Sequence, residues 1–172
     1  MDLATTRLTQ ERKKWRKEKK SLPGFSAKPM KLQDGTLDLN KWELLVPGKE
    51  GTHWEGGLYK IIATFPPEYP QKAPKLTTEP PLFHPNVYPS GNICLSLIDD
   101  RKDWKPTVSI RQILISLQTF LSSPNPDDPA HPEAIKLFRR NKDLYNQRIK
   151  EQAVARKPIV KDLQTDGVTT TL

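Results

Sequence analysis

The 172-residue sequence has one cysteine, Cys94, so it cannot form an internal disulfide. It has no run of about 18 apolar residues, which a membrane-spanning helix would need. Its opening segment also lacks the apolar stretch of an export signal. We therefore expect neither a disulfide-stapled secreted module nor a membrane protein. We expect a protein of the nucleus and cytoplasm, where thiols stay reduced.

Residues that could bind a metal are also few. A structural zinc site needs several cysteine or histidine ligands, and besides Cys94 the chain offers only the scattered His53, His84 and His131. A cysteine phosphatase loop would need arginine where Asp100 stands. We expect no metal and no cofactor. A cysteine–histidine hydrolase stays open, because its partners would meet only in the folded chain.

Positive charge is abundant and concentrated near the N-terminus. The net charge is +8, and residues 1–20 contain eight lysines and arginines against three acidic residues. An uninterrupted helix is predicted over 2–20, with a thin apolar face that includes Leu8 and Trp15. This basic helix implies an acidic partner without specifying its kind.

The first half of the chain otherwise has the pattern of short strands. Segments rich in aromatic and branched residues predict strands at 41–46, 57–65 and 75–78, joined as an antiparallel meander. Residues 66–92 hold eight of the 17 prolines, which exclude a helix and most sheet. Large apolar residues such as Tyr69 recur among these prolines, so we predict an ordered, stiff segment packed on the core.

The second half is helical. Apolar residues at helical spacing predict a core helix over 110–121, opened by a capping box of Ser109 and Gln112. A second helix is predicted over 132–140. Asn141 can cap a last helix, whose predicted buried stripe is Leu144, Tyr145, Ile149 and Ala153. Together these elements indicate an α+β domain with a small antiparallel sheet.

Cys94 has two interpretations. Free cysteines are often buried as small apolar residues, and Ile93 and Leu95 flank this one. However, an ordered set of short motifs surrounds it: "YP" (69–70), "PP" (80–81), "HPN" (84–86), "GNICL" (91–95) and "WKP" (104–106). Over about residues 3–157 this set resembles the ubiquitin-conjugating enzyme family, which favours a nucleophile over a core residue.

The resemblance implies a fold and a domain boundary. The expected fold has an N-terminal helix, a four-stranded antiparallel meander, a central helix and two C-terminal helices. A single catalytic domain would span 1–157, and a loose tail 158–172. Within the family the chain is most similar to the SUMO-conjugating branch, through "RLTQERKKWRKEKK", "PGKEGTHWEGGLY" and "CLSLIDDRKDWKPTVSI".

That branch implies a function. Cys94 would accept SUMO from an activating enzyme as a thioester and pass it to substrate lysines, often within Ψ-K-x-E motifs, where Ψ is a large aliphatic residue. Two alternatives remain: a conjugating enzyme for ubiquitin or another modifier of that fold, and a non-catalytic module that binds through the basic helix. We expect SUMO ligases and substrate proteins as further partners, and no membrane.

By the same resemblance, three residues assist Cys94. Tyr88 and Asp128 would flank and ready the incoming lysine, whose ordinary pKa of about 10.4 leaves it almost fully protonated at neutral pH. Asp128 could also be a simple turn residue. Asn86 would stabilise the oxyanion with its amide, or hold the loop in shape.

Substrate contacts are implied at Lys75, Ser90, Asn92, Lys102, Pro129, Ala130 and Ile135. The motif's glutamate would be bound by Lys75, Ser90 and Lys102. Its aliphatic residue would contact Pro129 and Ala130. Asn92 replaces the branch's usual threonine and Ile135 its usual aromatic residue, so substrate preference could differ. Any single lysine could equally be solvated surface.

The basic helix is implied to bind a second SUMO non-covalently, or the acidic face of the activating enzyme. The residues concerned are Arg12, Lys13, Arg16 and Lys17. A nuclear-import or nucleic-acid patch and a merely solvated face are the alternatives. Nucleic acid is the less favoured partner because Cys94 would then have no use.

Overall fold

The computed structural model describes residues 1–159, and within that range an antiparallel sheet packs with four α-helices. The helices are α1 (Leu3–Glu18), α2 (Ile110–Ser122), α3 (Pro132–Arg140) and α4 (Lys142–Ala155); the strands are β1 (Ser26–Lys31), β2 (Leu37–Pro47), β3 (Leu58–Thr64) and β4 (Lys75–Thr78). The strands lie in chain order, each antiparallel to the next. The predicted α+β fold is confirmed. Over the described range we find no helix with the length and apolarity that a bilayer crossing requires.

The residue pattern did not reveal β1. Ser26–Lys31 contains Pro29 and two lysines, which are unusual in a central strand. It forms at the sheet edge, where it pairs only with β2 and where the register shifts after Pro29. An edge position tolerates proline because one side of the strand needs no hydrogen-bond donors. The segment is therefore a strand because it pairs with β2, and not because of its own residue pattern.

The core lies between the sheet and α2. Trp42, Leu44 and Val46 alternate along β2 and are almost fully buried, as period-two strands with one covered face require. The predicted stripe of α2 is buried as well, and Ser109 and Gln112 form the predicted capping box. Each of these buried aliphatic side chains stabilises the fold by roughly 1.5–3 kcal/mol.

The basic helix α1 is anchored by a buried acid. Glu11 is only 5% exposed, accepts a hydrogen bond from the Ile110 backbone N–H at 3.1 Å, and also pairs with Arg7. Arg7 donates in turn to the Pro106 carbonyl at 2.7 Å. A buried carboxylate needs such partners. Thus α1 caps α2 and holds the chain that leads from Cys94 into it.

The two C-terminal helices begin where predicted. Pro132 opens α3, and Asn141 caps α4 by accepting from the Leu144 N–H. Tyr145, Ile149 and Ala153 form the buried stripe of α4. Leu144 was wrongly included in that stripe: it is 39% exposed, because it lies in the first turn beside Tyr145, on a different face. The predicted tail over 158–172 lies, from residue 160, outside the described residues.

Candidate active site

Cys94 follows a tight turn after the proline-rich segment. Gly91 has φ of 95°, and a Cβ at this position would lie 2.6 Å from the Thr78 carbonyl oxygen, so glycine is required. The turn brings the two sides of the loop together: the Cys94 N–H donates to the Asn86 carbonyl at 2.9 Å. Cys94 is partly exposed. It is therefore neither a core cysteine nor a freely mobile one.

The proline-rich segment forms an ordered wall, as predicted. Tyr69 and Leu82 are 1% and 2% exposed. The indole N–H of Trp104 donates to the Pro70 carbonyl at 3.0 Å, and Asp100 accepts from the Ala73 N–H at 2.7 Å. These bonds join the loop that follows Cys94 to the wall. The fixed φ of proline limits the freedom of the wall itself.

A carboxylate and a cation lie beside the sulfur. The Cys94 thiol donates to Asp128 Oδ2 at 3.3 Å, and Lys102 Nζ donates to the same oxygen at 3.0 Å. About half of the Lys102 and Asp128 side chains is exposed. A substrate can therefore reach all three groups from solvent.

Each of these groups has a shifted pKa. Burial, together with the hydrogen bond to Asp128 and its negative charge, raises the pKa of the Cys94 thiol. The hydrogen bond from Lys102 lowers the pKa of Asp128, and the same bond raises the pKa of Lys102. At neutral pH the thiol is thus protonated and Asp128 ionised. The site suits a thiol that is loaded from an activated acyl donor.

Asn86 ties the loop of Asp128 to the wall. Its side chain is 1% exposed, and its amide N–H groups donate to the carbonyls of Asn125 and Asp128 at 2.8 and 2.9 Å. Its Oδ1 accepts from the Asn125 N–H at 2.7 Å. This is the geometry of the loop-holding role. An oxyanion role would require Asn86 to release one of these carbonyls.

His84 belongs to this framework, although the sequence shows it only as one of three scattered histidines. It is fully buried, stacks on Phe120 at 4.3 Å, and its Nδ1 accepts from the Asn86 N–H at 2.9 Å. Nε2 must then carry the proton, and it donates to the Phe120 carbonyl at 2.9 Å. Burial lowers the pKa of His84 to about 4. Only its position in the HPN motif, two residues before Asn86, could have suggested this role.

Three of the four predicted catalytic residues meet in one open groove. Tyr88, Cys94, Lys102 and Asp128 line it, and Tyr88 is 47% exposed. A second groove, which Cys94, Lys102 and Asp128 also line, runs along α2 past Ile115 and Thr119 and includes Asn86. The structure therefore brings together Cys94, Tyr88 and Asp128 on one side, with Asn86 beneath their loop.

The predicted substrate contacts are less tightly grouped. Apart from Lys102, none of them lines the Cys94 groove. Lys75 is exposed at the start of β4, and Asn92 accepts weakly from the Thr77 hydroxyl at 3.4 Å on the turn that also holds Ser90. Pro129 is exposed, whereas Ala130 and Ile135 are each 8% exposed. Little of Ile135 is available to a substrate, and its contact role stays a prediction.

Comparison with known proteins places this geometry in a family. The family model described as "Ubiquitin-conjugating enzyme" matches residues 7–153. The chain belongs to the ubiquitin-conjugating enzyme family. It is 52% identical over 152 residues to a Caenorhabditis elegans protein named SUMO-conjugating enzyme UBC9, covering 88% of this chain and 90% of the relative. It is 44% identical over 151 residues to the Dictyostelium discoideum Sumo-conjugating enzyme ubc9, covering 88% and 94%.

The basic helix α1 presents most of its cations to solvent. Lys13, Arg16 and Lys17 are exposed and Arg12 is half-buried, whereas Leu8 and Trp15 face the core. The cations form a band on the outer face of α1. In residues 1–159, histidines, cysteine and carboxylates make no cluster of three or more that could hold a metal ion.

Proposed function

We propose that this chain is a SUMO-conjugating enzyme. It accepts SUMO on Cys94 as a thioester and transfers it to substrate lysines as an isopeptide bond. The observation that carries the proposal is the partly exposed Cys94 thiol, 3.3 Å from Asp128 in an open groove, on a chain that matches two relatives named for SUMO conjugation over 88% of its length.

The site residues suit both steps. In loading, the Cys94 sulfur attacks the carbonyl of the thioester that joins SUMO to the activating enzyme. A C–S bond to Cys94 forms, the C–S bond to the activating enzyme's cysteine breaks with its electron pair on that sulfur, and the thiol proton of Cys94 passes to the departing thiolate. In transfer, a substrate amine attacks the thioester carbonyl, a C–N bond forms, and the C–S bond breaks with its electron pair on sulfur. Asp128 is ionised and can accept the amine proton, and Tyr88 lines the same groove.

Substrate lysines are often selected within Ψ-K-x-E motifs. The glutamate two positions after the lysine suits a cation, and Lys102 lies in the groove itself. Lys75 and Ser90 are exposed residues of the proline-rich segment 66–92. Pro129 follows Asp128 directly and is exposed, so it can contact the aliphatic residue, whereas Ala130, at 8% exposure, offers that residue little surface. Replacing the peptide's glutamate by alanine should therefore raise KM more than it lowers kcat.

The band on α1 binds an acidic surface of the activating enzyme or of a second SUMO. Changing the half-buried Arg12 and the exposed Arg16 to glutamate reverses two charges on the outer face of α1 and should weaken this binding while the fold persists. Unchanged affinity of this variant for the activating enzyme and for SUMO would contradict the proposed role of the α1 band. SUMO ligases as partners, and a location in nucleus and cytoplasm, complete the proposal; cell fractionation and imaging test the location.

One assay separates the candidate functions. The protein is mixed with the activating enzyme, ATP and either SUMO or ubiquitin, and the adduct is then treated with reducing agent. A thiol-sensitive SUMO adduct supports the proposal. Loading with ubiquitin instead indicates a conjugating enzyme for that modifier, and no loading indicates a non-catalytic module. Cys94→Ser should convert the adduct into an ester that resists reducing agent.

A further inference from the structure

Both proposed steps place negative charge on the Cys94 sulfur. Loading needs the thiolate as nucleophile, and transfer releases it as leaving group. Yet burial and Asp128 both disfavour that charge. Asn86 donates its amide protons to two loop carbonyls. The groove therefore needs another group that stabilises the thiolate.

A cation is available on the same carboxylate oxygen that the sulfur contacts. Asp128 Oδ2 lies 3.3 Å from the Cys94 sulfur and 3.0 Å from Lys102 Nζ. Arg101 also lines the groove, but its guanidinium contacts Asp99 and its side chain is 88% exposed. Lys102 is thus the better placed of the two cations.

The position of Lys102 is set by its loop. The Lys102 N–H donates to the Asp99 carbonyl at 3.0 Å, and the next residue's N–H donates to the Ser96 carbonyl at 3.1 Å. Trp104 then anchors the loop to the proline wall through Pro70. A side chain that projects from such an anchored turn loses less freedom when it makes a charged contact. Its proximity to Asp128 is therefore built into the loop.

We propose that the Lys102 ammonium stabilises the Cys94 thiolate in loading and in transfer, in addition to any contact with the substrate's glutamate. Asp128 holds Lys102 in place, but its negative charge destabilises the thiolate that the ammonium stabilises. When the thiol proton leaves, the sulfur, the carboxylate and the ammonium form a group with one net negative charge instead of two. The inference concerns the reactivity of the sulfur in the proposed function and needs no particular substrate.

The thiol pKa tests this directly on unloaded protein. The rate of Cys94 alkylation by iodoacetamide is measured against pH in wild type, Lys102→Met, Lys102→Arg and Lys105→Met. Lys105 is an exposed lysine of the same loop and serves as the matched control. We expect Lys102→Met to raise the thiol pKa by about one unit, which lowers the thiolate fraction at neutral pH about tenfold. Lys102→Arg and Lys105→Met should stay near wild type.

Discharge of the loaded thioester gives the second readout. SUMO-loaded enzyme is mixed with hydroxylamine, an amine that is already neutral and has no glutamate. Lys102→Met should slow this discharge several-fold, and Lys102→Arg should restore it. Wild-type alkylation in Lys102→Met, or slower discharge only to a Ψ-K-x-E peptide, would overturn the inference. Failure of wild type to load SUMO would overturn the proposed function, while alkylation would still decide the role of Lys102.

Discussion

Replacing Asn86 by alanine should loosen the loop that carries Asp128. The substitution removes three hydrogen bonds of 2.7–2.9 Å between a buried amide and the Asn125–Asp128 backbone. Each is worth roughly 1 kcal/mol net, and the stranded carbonyls can partly rehydrate at the exposed loop. We therefore expect a loss of about 2–3 kcal/mol in the free energy of unfolding, or about 5–10 °C in Tm.

Urea unfolding measures the stability loss, and hydrogen exchange of the Asn125 amide reports on the loop itself. That amide donates to Asn86, so its exchange should accelerate more than exchange in β2 or β3. Asn92→Ala is the matched control, because its side chain makes one contact at 3.4 Å on the turn. It should cost about 0.5 kcal/mol or less.

Kinetics then separate the two roles of Asn86. A loosened loop misplaces Asp128, so transfer to lysine should fall much more than thioester formation, while exchange at Asn125 rises. The loop-holding role would be refuted by Asn86→Ala that keeps wild-type stability and Asn125 exchange yet loses lysine transfer. That result would assign the amide directly to the oxyanion. Equal loss of loading and transfer would instead contradict the oxyanion role.

Three further predictions concern the turn, the thiol and the buried histidine. Gly91→Ala, with φ of 95° and a Cβ close to a backbone oxygen, should cost more unfolding free energy than Gly35→Ala, whose Cβ has open space; equal losses in urea would contradict the clash. Asp128→Asn should lower the pKa of Cys94 in alkylation profiles, because it removes a negative charge beside the sulfur. A higher pKa in this variant would contradict the proposed effect of Asp128 on the thiol. Because the pKa of His84 is lowered from 6.5 to about 4, the unfolded chain takes up the proton first, so stability is complete above pH 6.5 and falls by up to about 3 kcal/mol towards pH 4. His84→Gln should flatten this part of the profile, and an unchanged slope would exclude His84 as its source.

The sequence predicted the elements whose signals are local. The capping box of Ser109 and Gln112, the Asn141 cap and the stripe of α2 depend on side chains within one or two turns. The strand β4 was predicted at its observed bounds, Lys75–Thr78. By contrast, β1 carries Pro29 and lysines, and pairing with β2 alone makes it a strand. Leu144 was assigned to the buried stripe of α4 because it is apolar and adjacent to Tyr145. The stripe follows Tyr145 and Ile149, and Leu144 lies on a different face.

At the site, the amino-acid sequence was enough to identify the residue that could react and the motifs that indicate the family. It contained one thiol, Cys94, and an ordered set of short motifs around it. The groups that lie next to that thiol were known only once the chain was folded. Asp128 contacts the Cys94 sulfur from 34 positions along the chain, and Lys102 contacts the same Asp128 oxygen from 26 positions away. The physical reason is that pKa and reactivity depend on burial and on charges within a few ångströms, and separation along the chain does not set those distances.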